Sequence, residues 1–122
     1  MEQPIQSHRD LKVWQKAMDL AQAVYCLAKK FPVAERYRLG SQITRAVVSV
    51  PSNIAEGNAR GTKRDYANFL SIAKGSLMET ETYLMLAVRL RFLEEDEAAP
   101  SLSLIVEISK MLTAMRNRLL EG

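Results

Sequence analysis

Residues 42–81 read QITRAVVSVPSNIAEGNARGTKRDYANFLSIAKGSLMETE, and the fold is decided there. Ile43, Ala46, Val47, Val50 and Ile54 recur at helical spacing. Beyond a short turn, Tyr66, Phe69, Leu70, Ala73 and Leu77 do the same. Pro51 lies inside the first pattern, where it removes one backbone donor and crowds the carbonyl of Val47. The period continues past it, so the spacing predicts a kink within one helix that ends at Gly57, a C-cap candidate. Thr62 followed by Asp65 has the spacing of a capping box and opens the next helix. Two antiparallel helices joined near Arg60 follow.

Working outward, Trp14, Ala17, Met18, Ala21, Val24, Tyr25, Ala28 and Phe31 form the stripe of an N-terminal helix, with Asp10 as its cap and Pro32 as its stop. Tyr66 to Val88 carries a main stripe and a second apolar set, Ile72, Tyr83, Leu86 and Leu90. That helix has little wholly polar surface and is either central or shared with another subunit. Ile105, Ile108, Leu112, Met115 and Leu119 define a last helix. Glu94–Glu97 suit its positive N-terminal end, and Pro100 places its regular start near Ala98 or distorts it early. The prediction is all-α, an antiparallel up-down-up-down four-helix bundle with helices at about 10–31, 36–57, 63–92 and 97–120. The bundle domain spans 9–122, after a flexible arm at 1–8.

At 122 residues and 48% apolar composition the chain is one small domain, and its modest burial favours association with copies of itself. The one cysteine, Cys26, permits no internal disulfide and reads as a buried thiol. No N-terminal apolar run resembles a signal peptide, and no run of 18 apolar residues suggests a membrane span; the expectation is a cytoplasmic protein with no membrane contact. Residues 1–93 hold 14 Lys/Arg against 8 Asp/Glu, and residues 94–122 hold 3 against 6, so a basic body precedes an acidic final segment. A basic surface contacts polyanions or simply keeps the protein soluble.

Polar residues in 42–81 supply the candidate sites. Arg45 and Gly75 each stand fifteen positions from Arg60, and Glu79 lies one turn further on. Gly in a helix interior costs about 1 kcal/mol relative to Ala. One reading is therefore that Arg45 crosses at Gly75 to meet Glu79; the other leaves Arg45 solvated. Ser49, Ser52, Asn53 and Glu56 share one side of their helix and are expected to cap groups freed around Pro51 and to tie down the turn. Glu56 and Glu79 fall roughly 20 Å apart in the antiparallel register, too far for paired acid/base work. His8 is the only histidine, which removes the Glu-x-x-His pairs of di-iron bundles and Cys/His zinc sites. No phosphate-binding glycine motif occurs, so the chain is read as non-enzymatic, without cofactor or metal. Arg60, Lys63 and Arg64 cluster at the turn, and Lys12 and Lys16 add charge on the first helix; these are the candidate nucleic-acid contacts. Arg89 and Arg91 stand as pairing partners for Glu94–Glu97.

DLKVWQKAMDLA at 10–21, RLGSQITRAVVSVPSNIAEGNAR at 38–60 and DYANFLSIAKGSLMETETYL at 65–84 carry a family resemblance, with SVPSNIAEG and AKGSLMETE its most specific blocks. The chain resembles the four-helix bundle proteins encoded in intervening sequences of bacterial 23S ribosomal RNA genes, also labelled S23 ribosomal proteins. They are related in fold to the accessory variability proteins of diversity-generating retroelements. The resemblance implies a homo-oligomer, a pentamer by its characterised relatives, with no established enzymatic activity. It implies structural or assembly roles for Arg45, Ser49, Pro51, Asn53, Glu56, Gly57, Gly75, Ser76 and Glu79. The retroelement branch binds nucleic acid and a reverse transcriptase through a strongly basic surface; the net charge of +3 here departs from it. The leading expectation is a self-associating bundle that binds RNA or DNA. The alternative is a protein-interaction adaptor without nucleic-acid affinity.

Overall fold

In the computed structural model, which describes residues 7–121, four helices carry the chain: α1 (Lys12–Ala28), α2 (Leu39–Asn58), α3 (Lys63–Arg89) and α4 (Glu95–Leu120). There is no strand among the described residues. Each helix packs on two neighbours in the cyclic order α1, α2, α3, α4, with α2 against α3 the most extensive pair. Short links make successive helices antiparallel, the up-down bundle that the apolar periods predict.

The core is built from one stripe per helix. Val13, Ala17, Leu20, Val24 and Leu27 of α1 meet Ile43, Val47, Val50 and Ile54 of α2, Leu70, Ala73, Leu77 and Leu84 of α3, and Ile105, Ile108 and Leu112 of α4. The stripe of α1 is rotated from its predicted position. Met18 and Tyr25 are about half exposed, and Cys26, expected to be buried, is exposed on the face opposite Leu20, Val24 and Leu27. A run in which almost every residue is apolar does not fix its inward face by periodicity alone.

The helix ends differ in how their free backbone groups are met. Leu11, not Asp10, holds the N-cap position of α1; Asp10 closes a 3-10 turn, His8–Asp10, capped by Ser7. Ser7 and His8 are thus ordered, and the remainder of the predicted arm lies outside the described residues. Thr62 Oγ1 accepts from Asp65 N at 3.1 Å, as its spacing predicts. α4 starts at Glu95, two residues before the predicted 97, because Glu94 and Glu97 form a reciprocal capping box and Pro100 is accommodated inside the helix. α3 ends in a Schellman turn: Phe92 N donates to Ala87 O, Arg91 N donates to Val88 O, and Arg91 takes φ 63° where glycine is usual.

α2 continues through Pro51, which is buried. Side chains cluster around the proline: Ser52 Oγ donates to Val48 O at 3.1 Å, and Asn53 Nδ2 donates to Ser49 O at 2.7 Å. They bind the carbonyls next to that of Val47, which is the group Pro51 leaves without its helical donor. The predicted end of α2 at Gly57 is also revised. The helix runs one residue further, and Gly57 is buried inside its last turn. A Cβ there would lie 2.8 Å from Phe69 Cβ and 3.1 Å from a ring carbon of Tyr66. At Gly57 α2 and α3 approach so closely that a side chain would meet Phe69 and Tyr66, a crossing that glycine permits.

α4 passes a length-and-hydropathy test for a membrane span, yet Ala98, Ser101, Ile105, Ile108 and Leu112 face the bundle interior. Lys30 pairs with Glu97 and the rings of Phe31 and Phe92 meet at 5.7 Å, so the end of α1 adjoins the α3–α4 link. Further along, Lys16 pairs with Glu107 at 2.8 Å; four residues of α1 precede Lys16, whereas thirteen of α4 follow Glu107. At 1.5 Å per residue, α4 runs past the start of α1 by about 14 Å.

Candidate nucleic-acid interface

The α2–α3 turn divides its cations into committed and free. Arg60 donates to Glu56 Oε1 at 3.3 Å and lies 4.7 Å from the centre of the Phe69 ring. It is held over the Gly57 crossing by a carboxylate and a ring face, with Asn58 Nδ2 donating to the Tyr66 hydroxyl at 3.3 Å beside it. Lys63 and Arg64 are exposed in the first turn of α3, and no salt bridge reaches either among the described residues. Lys12 is likewise exposed and free of such pairing, whereas Lys16 is engaged with Glu107.

Sequence reasoning overlooked the end of α4. Antiparallel packing brings its last turns beside the first turns of α3, and Arg64 and Arg116 line one surface hollow of about 380 Å³ with Asp65, Asn68 and Ser71. An adjoining hollow of about 350 Å³ shares Ser71 and Arg116 and adds Lys74, whose ammonium donates to Thr113 Oγ1 at 2.8 Å. The helical period held the signal: positions 64, 68, 71 and 116, 120 face each other once α3 and α4 are paired.

The polar cluster on α2 is smaller than expected. Asn53 Nδ2 donates to Ser49 Oγ at 2.9 Å, and Ser76 Oγ donates to the same oxygen at 2.9 Å, linking α2 to α3. Glu56 belongs to the Arg60 pair instead. Arg45 and Glu79 are both exposed, and no ion pair joins them among the described residues. Gly75 is exposed as well, and a Cβ built on it meets nothing within 4 Å. The crossing expected at Gly75 is therefore at Gly57, and the long Arg45 side chain goes to solvent, where it keeps its hydration.

At the opposite end of the bundle an ion pair joins the first turn of α4 to the residues that follow α1. Glu97 accepts from Glu94 N and from Lys30, and these two bonds, the backbone one first, hold its carboxyl below the usual 4.5. Lys30 is raised above 10.5, chiefly by its hydrogen bond to Glu97. The carboxylate run thus takes Lys30 as its partner, and no salt bridge joins it to Arg89 or Arg91 among the described residues. In the interior, every buried side-chain nitrogen or oxygen among the described residues has a hydrogen-bond partner. No cluster of three His, Cys, Asp or Glu forms a metal site among them.

Comparison with known proteins places these features in a family. The family model for the 23S rRNA-intervening sequence protein matches residues 9–114. A crystal structure of a protein of unknown function from the S23 ribosomal protein family of Bacteroides thetaiotaomicron is similar, with a TM-score of 0.78 at 27% identity. The match covers 85% of this chain and 97% of that one. No curated protein matches.

Proposed function

The chain belongs to the 23S rRNA-intervening sequence protein family, and from that premise we propose that it is a non-enzymatic, self-associating bundle that binds the phosphate backbone of RNA or DNA in the cytoplasm. The observation that carries this reading is that Arg64 of α3 and Arg116 of α4 line one surface hollow beside the α2–α3 turn. Lys63, Arg64 and Arg116 are exposed there, and no salt bridge reaches them among the described residues. Unmatched cations from two helices on one surface favour a polyanion. Lys12 extends that positive surface toward α1. Lys16 is paired with Glu107 of α4 and Arg60 with Glu56 one turn before it, so neither charge is as available to a polyanion.

Self-association is supported by apolar side chains left on a small bundle's surface. Ile72, Met85, Leu86 and Leu90 of α3 and Val106 of α4 are all 40% exposed or more. In a pentamer, the assembly proposed from the family resemblance, five weak basic sites act together. The absence of enzymatic activity is proposed from the side chains themselves: Glu56 is bound by Arg60, Glu79 is exposed on another helix, and His8 is the only histidine in the sequence.

Light scattering combined with RNA and DNA titrations at several salt concentrations tests the reading. A defined oligomer and an affinity that falls steeply with salt are expected. A monomer without affinity at about 50 mM salt would remove it. The adaptor reading is favoured by a separate feature, an apolar hollow of about 420 Å³ bounded by Met85, Val88, Ala99 and Leu102 with Glu95 and Arg89 at its edge. A salt-insensitive protein complex lost on Met85→Lys, with no nucleic-acid binding, would select it.

A further inference from the structure

We propose that the groove between α3 and α4, from Arg64 to Lys74, is a track for a single nucleic-acid strand, with Arg64, Arg116 and Lys74 as successive phosphate contacts. The proposal rests on the nucleic-acid reading above and narrows it to a site and a strandedness.

Three observations converge. First, the two hollows adjoin through Ser71 and Arg116, so the cations occupy one continuous depression. Among the described residues Asp65 is the one carboxylate lining it, against two guanidiniums and one ammonium. Lys74 is partly buried and directed onto Thr113 Oγ1, a neutral oxygen that leaves its charge uncompensated. Arg64 and Arg116 are exposed, so both guanidiniums are accessible to a polyanion.

Second, the spacing favours a polymer over a small phosphate. Arg64 and Lys74 are ten residues apart on one helix, about 15 Å along its axis. One phosphate cannot reach both, whereas successive phosphates of a strand can. Asn68 and Ser71 lie between them as neutral polar groups. The groove is bounded by two packed helices, whose axes lie about 8–10 Å apart in general. A duplex is wider than this interhelical spacing and would rest on the rim, whereas a single strand would follow the groove.

Third, Gly75 keeps the floor open. It lines the groove with Leu70, Met78 and Leu112, and nothing in the bundle approaches the space its side chain would fill. Packing within the chain gives no reason for a glycine there. Of the apolar residues there only Met78 is exposed, and it lies beside the basic wall with room for a base over the Gly75 position.

The test is fluorescence anisotropy with a labelled oligouridylate of about twelve nucleotides, and with a duplex RNA of the same length. The full chain is compared with Arg64→Gln, Lys74→Gln, Arg116→Gln, the triple variant, Gly75→Leu, and Arg36→Gln as a control at the other end. Each groove charge removed should flatten the logarithmic salt slope by about 0.7 for a single strand. Gly75→Leu should weaken binding at least tenfold while circular dichroism and Tm are retained, and Arg36→Gln should change neither slope nor affinity. If the wild type binds RNA and the triple variant binds it equally well, the groove is overturned and the broader reading stands. Duplex binding as tight as single-strand binding overturns the strandedness. A change of oligomeric mass in the groove variants, with RNA affinity intact, assigns the groove to a protein contact and overturns the proposal. Absence of nucleic-acid binding by the wild type removes both readings together.

Discussion

Gly57 and Gly75 lie on facing helices of the same crossing pair and do opposite things. At Gly57 the backbone of α2 is so close to Phe69 and Tyr66 that a methyl group has no room. At Gly75 the side-chain position opens into a groove. The first glycine closes the bundle and the second leaves it open, although both look alike in sequence. A glycine inside a helix signals proximity to something; only the structure tells whether that something is part of the chain.

The comparison breaks most readily at Gly57. Gly57→Ala should destabilise the protein by about 1–3 kcal/mol, because Phe69 Cβ belongs to a packed helix and cannot swing aside. Urea denaturation measures this, and an unchanged midpoint would mean that the α2–α3 crossing is looser than described. The link next in size is the hydroxyl of Ser49, which accepts from both Asn53 and Ser76. Ser49→Ala should cost about 1 kcal/mol in the same measurement by leaving those donors with fewer partners. At Gly75 the sign reverses: Gly75→Ala should stabilise by up to about 1 kcal/mol, the helix propensity gained without a clash. A loss at this position would show contact with a neighbour that the isolated chain does not contain.

The pair between Lys30 and Glu97 makes stability depend on pH at both extremes. Glu97 titrates below 4.5 in the folded protein, so its contribution is present above that pH and is lost as pH falls through its lowered folded value. Lys30 titrates above 10.5, and its contribution is present below that pH and lost as pH rises through the raised value. Glu97→Gln should therefore flatten the fall of Tm between neutral pH and about pH 3, a small effect for an exposed pair. An equally steep acid limb in the variant would mean that other carboxylates set it.

These contrasts also show what was legible in the sequence. The four helices were, because apolar period, Pro32, Thr62 and the Glu94–Glu97 run each act locally. The rotation of α1 was not, since exposed Met18, Tyr25 and Cys26 are as apolar as their buried neighbours. Counting from the turn placed Arg45 level with Gly75, yet equal level does not make two residues face each other. At the candidate interface, Lys63 and Arg64 stood out as a charged turn. Arg116 did not, because its approach to Arg64 depends on how α4 returns to the turn, a relation between residues 52 positions apart. Arg60 was the residue most plainly marked by sequence, and folding gives it to Glu56 and Phe69.

The most direct measurement is the affinity of the intact protein for single-stranded RNA as a function of salt. Three backbone contacts predict binding at about 50 mM salt and a logarithmic slope of about −2. Equal affinity at about 50 and 300 mM, or no binding at either, would contradict the assignment of this open groove to a nucleic-acid strand.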